Sequence, residues 1–122
     1  MNYIKIQSIS DSGVAGKERV LFKAIGIDNV GKYIAFSTIE TSPGKIYSNP
    51  KKVYWFPDQE VKSGDFIILY TGSGVNTKFA NKVGTITYVF YWNLSETIFV
   101  TNQDTIALLR IESWEYKSNS GT

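Results

Sequence analysis

The chain has no histidine and no cysteine. General acid–base catalysis, nucleophile activation and metal ligation lean on those two residues, so any such chemistry here would fall to carboxylates, lysines and tyrosines. Without cysteine there are no disulfides and no thiolate metal sites. That leaves the redox compartment open, because secreted domains also manage without cysteine. Charge of one sign is scarce too. The 13 basic and 11 acidic residues leave a net +2, too weak a field to recruit nucleic acid or an anionic membrane by itself. No stretch approaches the ~20 apolar residues of a membrane-spanning helix, and helical periodicity is absent. The opening Met1-Asn2-Tyr3-Ile4-Lys5-Ile6 lacks the basic start and apolar core of a signal peptide. With Met1 as the native start, the expectation is a cytoplasmic protein.

What is present favours strands. Hydrophobic residues make up 43% and aromatics 15% of 122 residues, enough for one core burying roughly two thirds of the unfolded surface. Thr, Val, Ile and Tyr fit a pleated, half-buried surface. Tyr3 to Ile9 alternates, with Ile4 and Ile6 on one face; Val20, Phe22 and Ala24 alternate with Leu21, Lys23 and Ile25. Asp28-Asn29-Val30-Gly31 predicts a hairpin turn into a strand over 33–39. Thr41-Ser42-Pro43-Gly44 and Ser48-Asn49-Pro50 bracket a long, basic, exposed loop before the aromatic strand Val53-Tyr54-Trp55-Phe56, which ends at Pro57. Gly64-Asp65 turns the chain into Phe66 to Thr71, an unbroken apolar run suited to a central strand, with Phe66, Ile68 and Tyr70 or their alternates in the core. A flexible stretch, 72–84, leads to a strand over 85–92. Further strands are expected over 97–101 and 105–111, and at Trp114 and Tyr116. The expectation is an all-β fold of about eight or nine antiparallel strands, one domain over 1–117 and a flexible tail at 118–122.

The string Phe56-Pro57-Asp58, Val61-Lys62-Ser63-Gly64-Asp65 and Phe66-Ile67-Ile68-Leu69-Tyr70-Thr71-Gly72-Ser73-Gly74-Val75-Asn76-Thr77, with Tyr91-Trp92 and Asn102-Gln103-Asp104-Thr105-Ile106-Ala107-Leu108-Leu109, resembles the lamin-tail domain. The likeness runs from about Trp55 to Tyr116, with Glu18 and Asn29 standing for the family's early acidic residue and Asn-containing turn. The family's Gly-Trp pair is absent; Gly31-Lys32-Tyr33 is nearest. The resemblance implies a divergent, bacterial-type immunoglobulin-like β-sandwich. Such domains occur in nuclear lamins, where they contact DNA and proteins, and as accessory modules in bacterial proteins. No binding residue carries over position by position.

Candidate chemistry is sparse. Asp58, Glu60 and Asp65 could pair as a hydrolase's carboxylates, but Asp in such turns bonds its own backbone, and Asp104 reads the same way. Gly72-Ser73-Gly74 follows a strand as a phosphate loop does, yet no Gly-Lys-Ser/Thr and no helical pattern follows; Gly64, Gly72 and Gly74 are read as permitting special backbone angles. Asn93-Leu94-Ser95 fits a glycosylation acceptor and reads as a turn. Tyr88, Phe90 and Trp92 share one strand face and Val89 and Tyr91 the other, so an exposed Tyr91 would point to carbohydrate or protein contact. Lys45, Tyr47, Lys51, Lys52, Tyr54 and Trp55 interleave cations with rings, a combination suited to phosphate backbones and stacked bases, while lysine and proline beside a strand also guard a sheet edge. The function expected is a non-catalytic interaction or scaffolding module that binds a protein through loops and a sheet edge, with no cofactor, metal or membrane. The alternatives are a nucleic-acid-binding module using the Lys45 to Trp55 patch and a carbohydrate-binding module.

Overall fold

The computed structural model describes residues 2–120. Among them are the strands β1 (Ile4–Ser10), β2 (Arg19–Ala24), β3 (Asp28–Asn29), β4 (Tyr33–Ser42), β5 (Lys45–Ile46), β6 (Lys52–Trp55), β7 (Glu60–Val61), β8 (Phe66–Tyr70), β9 (Thr77–Ala80), β10 (Ile86–Tyr91) and β11 (Asp104–Arg110), and one 3-10 turn at Val30–Lys32. The fold is all-β. The first sheet has the order β1-β2-β8-β10-β9; in the second, β4 pairs with β11, β5 and β6; β3 and β7 form a small ladder of their own. No helix among the described residues is long and apolar enough to cross a membrane. Met1, Gly121 and Thr122 lie outside the described residues, and with them the start on which the cytoplasmic expectation rests and the end of the expected tail.

The core follows from alternation. On β2, Val20, Phe22 and Ala24 are buried, as are Ile67 and Leu69 on β8 and Tyr88 and Phe90 on β10; the second sheet adds Tyr33, Ala35 and Ile106 to the same cluster. Thus the alternates of Phe66, Ile68 and Tyr70 fill the centre, and those three are half-buried on the opposite face. The Phe56 ring sits between the sheets, edge-on to Phe22 at 5.7 Å and to Phe90 at 5.4 Å. Each such side chain contributes about 1.5–3 kcal/mol by leaving water, and edge-to-face contacts add to that.

Several expectations need correction. The strands number more than eight or nine, and the pairing is not antiparallel throughout: β8 and β10 run parallel, Phe66 opposite Thr87 through Tyr70 opposite Tyr91. The cause is β9, which the sequence reading placed inside a flexible stretch. It pairs antiparallel on the far side of β10, so the chain re-enters the sheet in the direction of β8. Asp28 to Gly31 is not a hairpin turn. It carries the chain from the first sheet to the second, with Asn29 in extended backbone, its side chain accepting from the Gly31 N–H. No strand forms over 97–101 or at Trp114 and Tyr116. Gly64 adopts the expected left-handed angle, φ 93°, whereas Gly72 and Gly74 do not. At Gly74 the requirement is space, since a Cβ would collide with the Tyr91 ring.

Candidate interaction surface

The pleat of β6 divides the residues of the basic-aromatic patch. Tyr54 stands opposite Ala35 and points inward, edge-on to Phe56 at 5.0 Å and tilted against Trp92 at 5.9 Å; burial raises its phenol pKa. Trp55 points outward, its indole N–H donating to the Gly31 carbonyl at 2.8 Å. Lys51 lies 3.6 Å from the Asp104 carboxylate. Lys45, Tyr47 and Lys52 are exposed, and the Tyr47 carbonyl accepts from the Thr38 hydroxyl at 2.5 Å. The structure therefore keeps Lys45, Tyr47, Lys51, Lys52 and Trp55 on the surface along β5, β6 and their connection, and withdraws Tyr54 from it.

The outward face of the second sheet gathers a different set. Directly opposed residues of antiparallel strands share a face, so register places Leu109, Ile34 and Trp55 in one row and Ala107, Phe36 and Val53 in the next. Phe36 is buried yet lies outside the central cluster, as expected of a residue covered by its neighbours on the outer face. Val53, Trp55 and Leu109 are 52%, 44% and 51% exposed. No charged side chain interrupts either row. Beyond β11 the chain crosses this face: Trp114 meets Trp55 edge-on at 5.1 Å with the rings 88° apart, and Tyr116 follows at 6.3 Å from Trp114. Sequence reasoning passed over Ile34, Phe36, Val53, Leu109 and Trp114 as parts of one outward face. One signal was available: Tyr33-Ile34-Ala35-Phe36 is apolar at successive positions, the mark of a strand with two apolar faces.

Most of the candidate carboxylates are occupied with structure. Asp65 accepts from the Lys62 and Ile86 amides; Asp58 packs against Gly31 and approaches the Asn29 amide at 3.5 Å; Glu60 is exposed on β7. Asp104 accepts from the Val100 and Thr101 amides. Burial alone would raise its pKa, but those amides and Lys51 hold it below the usual range. Glu18, 1% exposed, accepts from the Gly13, Ile98 and Phe99 amides and the Thr71 hydroxyl. These contacts give the amides of Ile98 and Phe99 a carboxylate partner where the sequence suggested a strand ladder. Asp28 accepts from the Tyr33 hydroxyl at 2.7 Å and from Arg110 Nε at 3.1 Å. Burial pushes the Asp28 carboxyl up, yet the Tyr33, Arg110 and Asn29 hydrogen bonds outweigh it and leave it lowered. The Tyr33 phenol is pushed up to about 12 by burial and by Asp28, and Arg110 is held protonated by Asp28 and Glu112.

Concavity is modest. A cleft of about 380 Å³ near Glu18, lined by Gly13, Gly16, Thr71, Gly72, Leu94 and Thr97 among others, has one ionisable lining residue, Glu96. The Gly72-Ser73-Gly74 loop leads to β9, with no helix to present amides to an anion. Tyr91 is half-buried, stacked on Tyr70 at 5.2 Å and covered by Gly74. Asn93 takes a left-handed angle in an exposed turn and accepts from the Gly74 N–H. Compared with known proteins, the chain matches no family model, no curated protein and no solved structure.

Proposed function

We propose that this chain is a non-catalytic interaction module that binds a protein partner through the outward face of its second sheet and the adjoining edge. One observation carries the reading: two uncharged cross-strand rows, Leu109-Ile34-Trp55 and Ala107-Phe36-Val53, leave Val53, Trp55 and Leu109 exposed around the buried Phe36. An exposed contiguous apolar patch on a folded domain is a feature of protein contact sites. The reading includes an immunoglobulin-like sandwich of the lamin-tail kind. It is supported by the contribution of both sheets to one cluster around Phe56 and by the sequence likeness from Trp55 to Tyr116.

The rival ligands fit less well. Nucleic acid would need a continuous basic stripe with rings free to stack, but Lys51 is paired with Asp104 and Tyr54 is turned inward. A sugar platform needs coplanar exposed rings, and Trp55 and Trp114 stand 88° apart.

The experiment compares capture of host proteins by wild type, by Val53→Lys and by the double variant Lys51→Glu/Lys52→Glu, alongside titration with single-stranded and duplex nucleic acid at several salt concentrations. A protein retained by wild type and the double variant but lost with Val53→Lys is the expected result. Submicromolar, salt-sensitive nucleic-acid binding abolished by the double variant would replace the protein reading with the electrostatic one.

A further inference from the structure

Tyr88 is a buried polar side chain with no bond to make inside the fold. It lies on β10 within the core cluster and is 9% exposed, and among the described residues its hydroxyl has no hydrogen-bond partner. Buried polar groups are as a rule bonded, and an exception asks for a reason. Every sealed side-chain nitrogen and oxygen among the described residues does have a partner. The Tyr88 hydroxyl is therefore not sealed, and it opens at the cleft that Tyr88 lines.

That cleft has a volume of about 310 Å³ and is lined by Gln59, Asn76, Thr77, Lys78, Tyr88 and Phe90. It would hold about ten water molecules at ~30 Å³ each, the lower end of the range for small-molecule sites. Register explains the opening. Lys78 stands opposite Tyr88 across the β9–β10 pair and so shares its inward side, yet Lys78 is exposed, so the second sheet does not cover this border strand. The Lys78 ammonium sits over the Tyr88 ring, 6.0 Å from its centroid, and has no carboxylate partner among the described residues. Gln59 spends its side-chain N–H on the Glu60 carbonyl and leaves its Oε1 without a donor. Asn76 is fixed by the Tyr91 amide.

We propose that this cleft binds a small hydroxycarboxylate, whose carboxylate takes the Lys78 ammonium and the Tyr88 hydroxyl and whose hydroxyls meet Gln59 Oε1. The site is separate from the outward face of the second sheet and goes beyond the interaction-module reading. An unpaired cation beside an unpaired phenol O–H calls for an anionic acceptor, and hydrogen bonds to an ionised acceptor are the strong ones. Burial, with the charges of Asp65 and Glu60, raises the Tyr88 pKa, so the phenol keeps its proton and donates. Those two carboxylates also limit the charge the cleft accepts. Neither lines it, and Asp65 is bonded to the Lys62 and Ile86 amides, but with them nearby one lysine balances one negative charge and not two. Carboxylate therefore fits better than phosphate. Phe90 and the Tyr88 ring give the ligand's carbons an apolar wall.

Titration with gluconate, followed by the shifts of backbone amide NMR signals, tests this, with glucose, hexanoate and inorganic phosphate as comparisons. The expected result is a saturable shift at Thr77, Lys78 and Tyr88 with gluconate. Glucose, which lacks the carboxylate, hexanoate, which lacks the hydroxyls, and phosphate should each bind at least about tenfold more weakly. Tyr88→Phe should weaken gluconate binding about tenfold, through loss of one charge-assisted hydrogen bond, and should melt no lower than wild type, because among the described residues that hydroxyl bonds nothing. Lys78→Gln should abolish binding, whereas Lys82→Gln, in an exposed turn outside the cleft, should leave it unchanged. The absence of a saturable shift at those amides overturns the proposal, as does phosphate binding as tightly as gluconate or a Tyr88→Phe variant that keeps full affinity. A Tyr88→Phe variant that melts lower than wild type also overturns it, since the hydroxyl would then serve the fold. None of these outcomes touches the outward face of the second sheet, whose test is Val53→Lys.

Discussion

The outward faces of the two large sheets both carry apolar and aromatic side chains and treat them differently. On the first sheet, Lys23 folds over the Phe66 ring at 5.6 Å and Arg19 over Tyr70 at 5.9 Å, while Tyr70 stacks on Tyr91 with 12° between the rings. Cations and loop glycines cover the Phe66 and Tyr70 part of that face, while Phe79 at its β9 border, in the same row as Phe66, stays exposed. On the second sheet, among the described residues, no cation lies over the Trp55 ring of the Leu109, Ile34 and Trp55 row; Trp114 of the crossing segment meets it instead. The same chain can therefore shield a sheet with long basic side chains that keep their charge in water, and on one face it does not. That difference, more than exposure by itself, marks the second sheet's face as a place for contact.

One cluster of side chains lies beneath both faces, and the strongest way to break it is at Phe56. Its ring touches Phe22 of the first sheet and Phe90 beside it, and Tyr54 of the second sheet lies at 5.0 Å. Phe56→Ala should cost about 3–5 kcal/mol through lost transfer and a residual cavity, measured by urea unfolding with a single transition. Two separate transitions would show that the sheets do not share a core.

Next in size is the anchoring of the second sheet by the Asp28, Tyr33 and Arg110 cluster. Asp28 has a folded pKa below its unfolded one, so its contribution is present above the unfolded value and is lost as pH falls through the folded one. Tyr33 is raised to about 12; its contribution is complete below the ordinary tyrosine value, ~10, and is lost as pH rises through about 12. Melting temperature should decline at both ends. Asp28→Asn should flatten the acid arm, and Tyr33→Phe should shrink the alkaline arm without removing it, because burial also raises Tyr54 and Tyr88. An acid arm identical in Asp28→Asn would show that this carboxylate does not carry the pH dependence.

These elements differ in how far the sequence disclosed them. The alternation in Val20-Leu21-Phe22-Lys23-Ala24 placed β2, and the run after Gly64-Asp65 placed β8 centrally, because side-chain period and turn chemistry are local. The exposed connection before β6 was legible from its prolines and glycine. The direction of β10 against β8 was not, since alternation is the same in parallel and antiparallel strands. Nor was the Glu18 latch, whose partners Ile98 and Phe99 lie far along the chain. The patch from Lys45 to Trp55 was read as one surface because its residues are neighbours in sequence; the pleat that turns Tyr54 inward acts on alternate positions and divides it. The outward rows join β4, β6 and β11, a juxtaposition that only the register reveals.

On the closed face, glycine substitution separates space from backbone angle. Gly74→Val drives a side chain into the Tyr91 ring and should cost about 1–3 kcal/mol, the range for overpacking. Gly64→Val, at φ 93°, should cost about 1–3 kcal/mol through backbone strain. Gly72, with no left-handed angle and its nearest neighbour Gly16 at 3.7 Å, should tolerate Ala with the smallest loss. Equal melting temperatures for wild type and the Gly74→Val variant would show that the loop does not press on Tyr91.

The smallest effect on stability is expected where the effect on binding is largest. Val53 and Leu109 are half exposed on the outer face, and neither belongs to the central cluster. Val53→Lys and Leu109→Lys should each change stability by no more than about 0.5 kcal/mol, as surface substitutions usually do. Lys23→Ala on the other face removes a cation from the Phe66 ring and should cost about 0.5–1 kcal/mol. Thermal melts of the three variants, run beside partner capture, set the two faces against each other. If the second sheet's face is built for contact, Val53→Lys and Leu109→Lys melt near wild type and lose the partner, while Lys23→Ala melts lower and keeps it. If Val53→Lys and Leu109→Lys instead lower the melt by more than Lys23→Ala, their side chains stabilise the fold as much as any covered residue, and the contrast between a closed and an open face disappears.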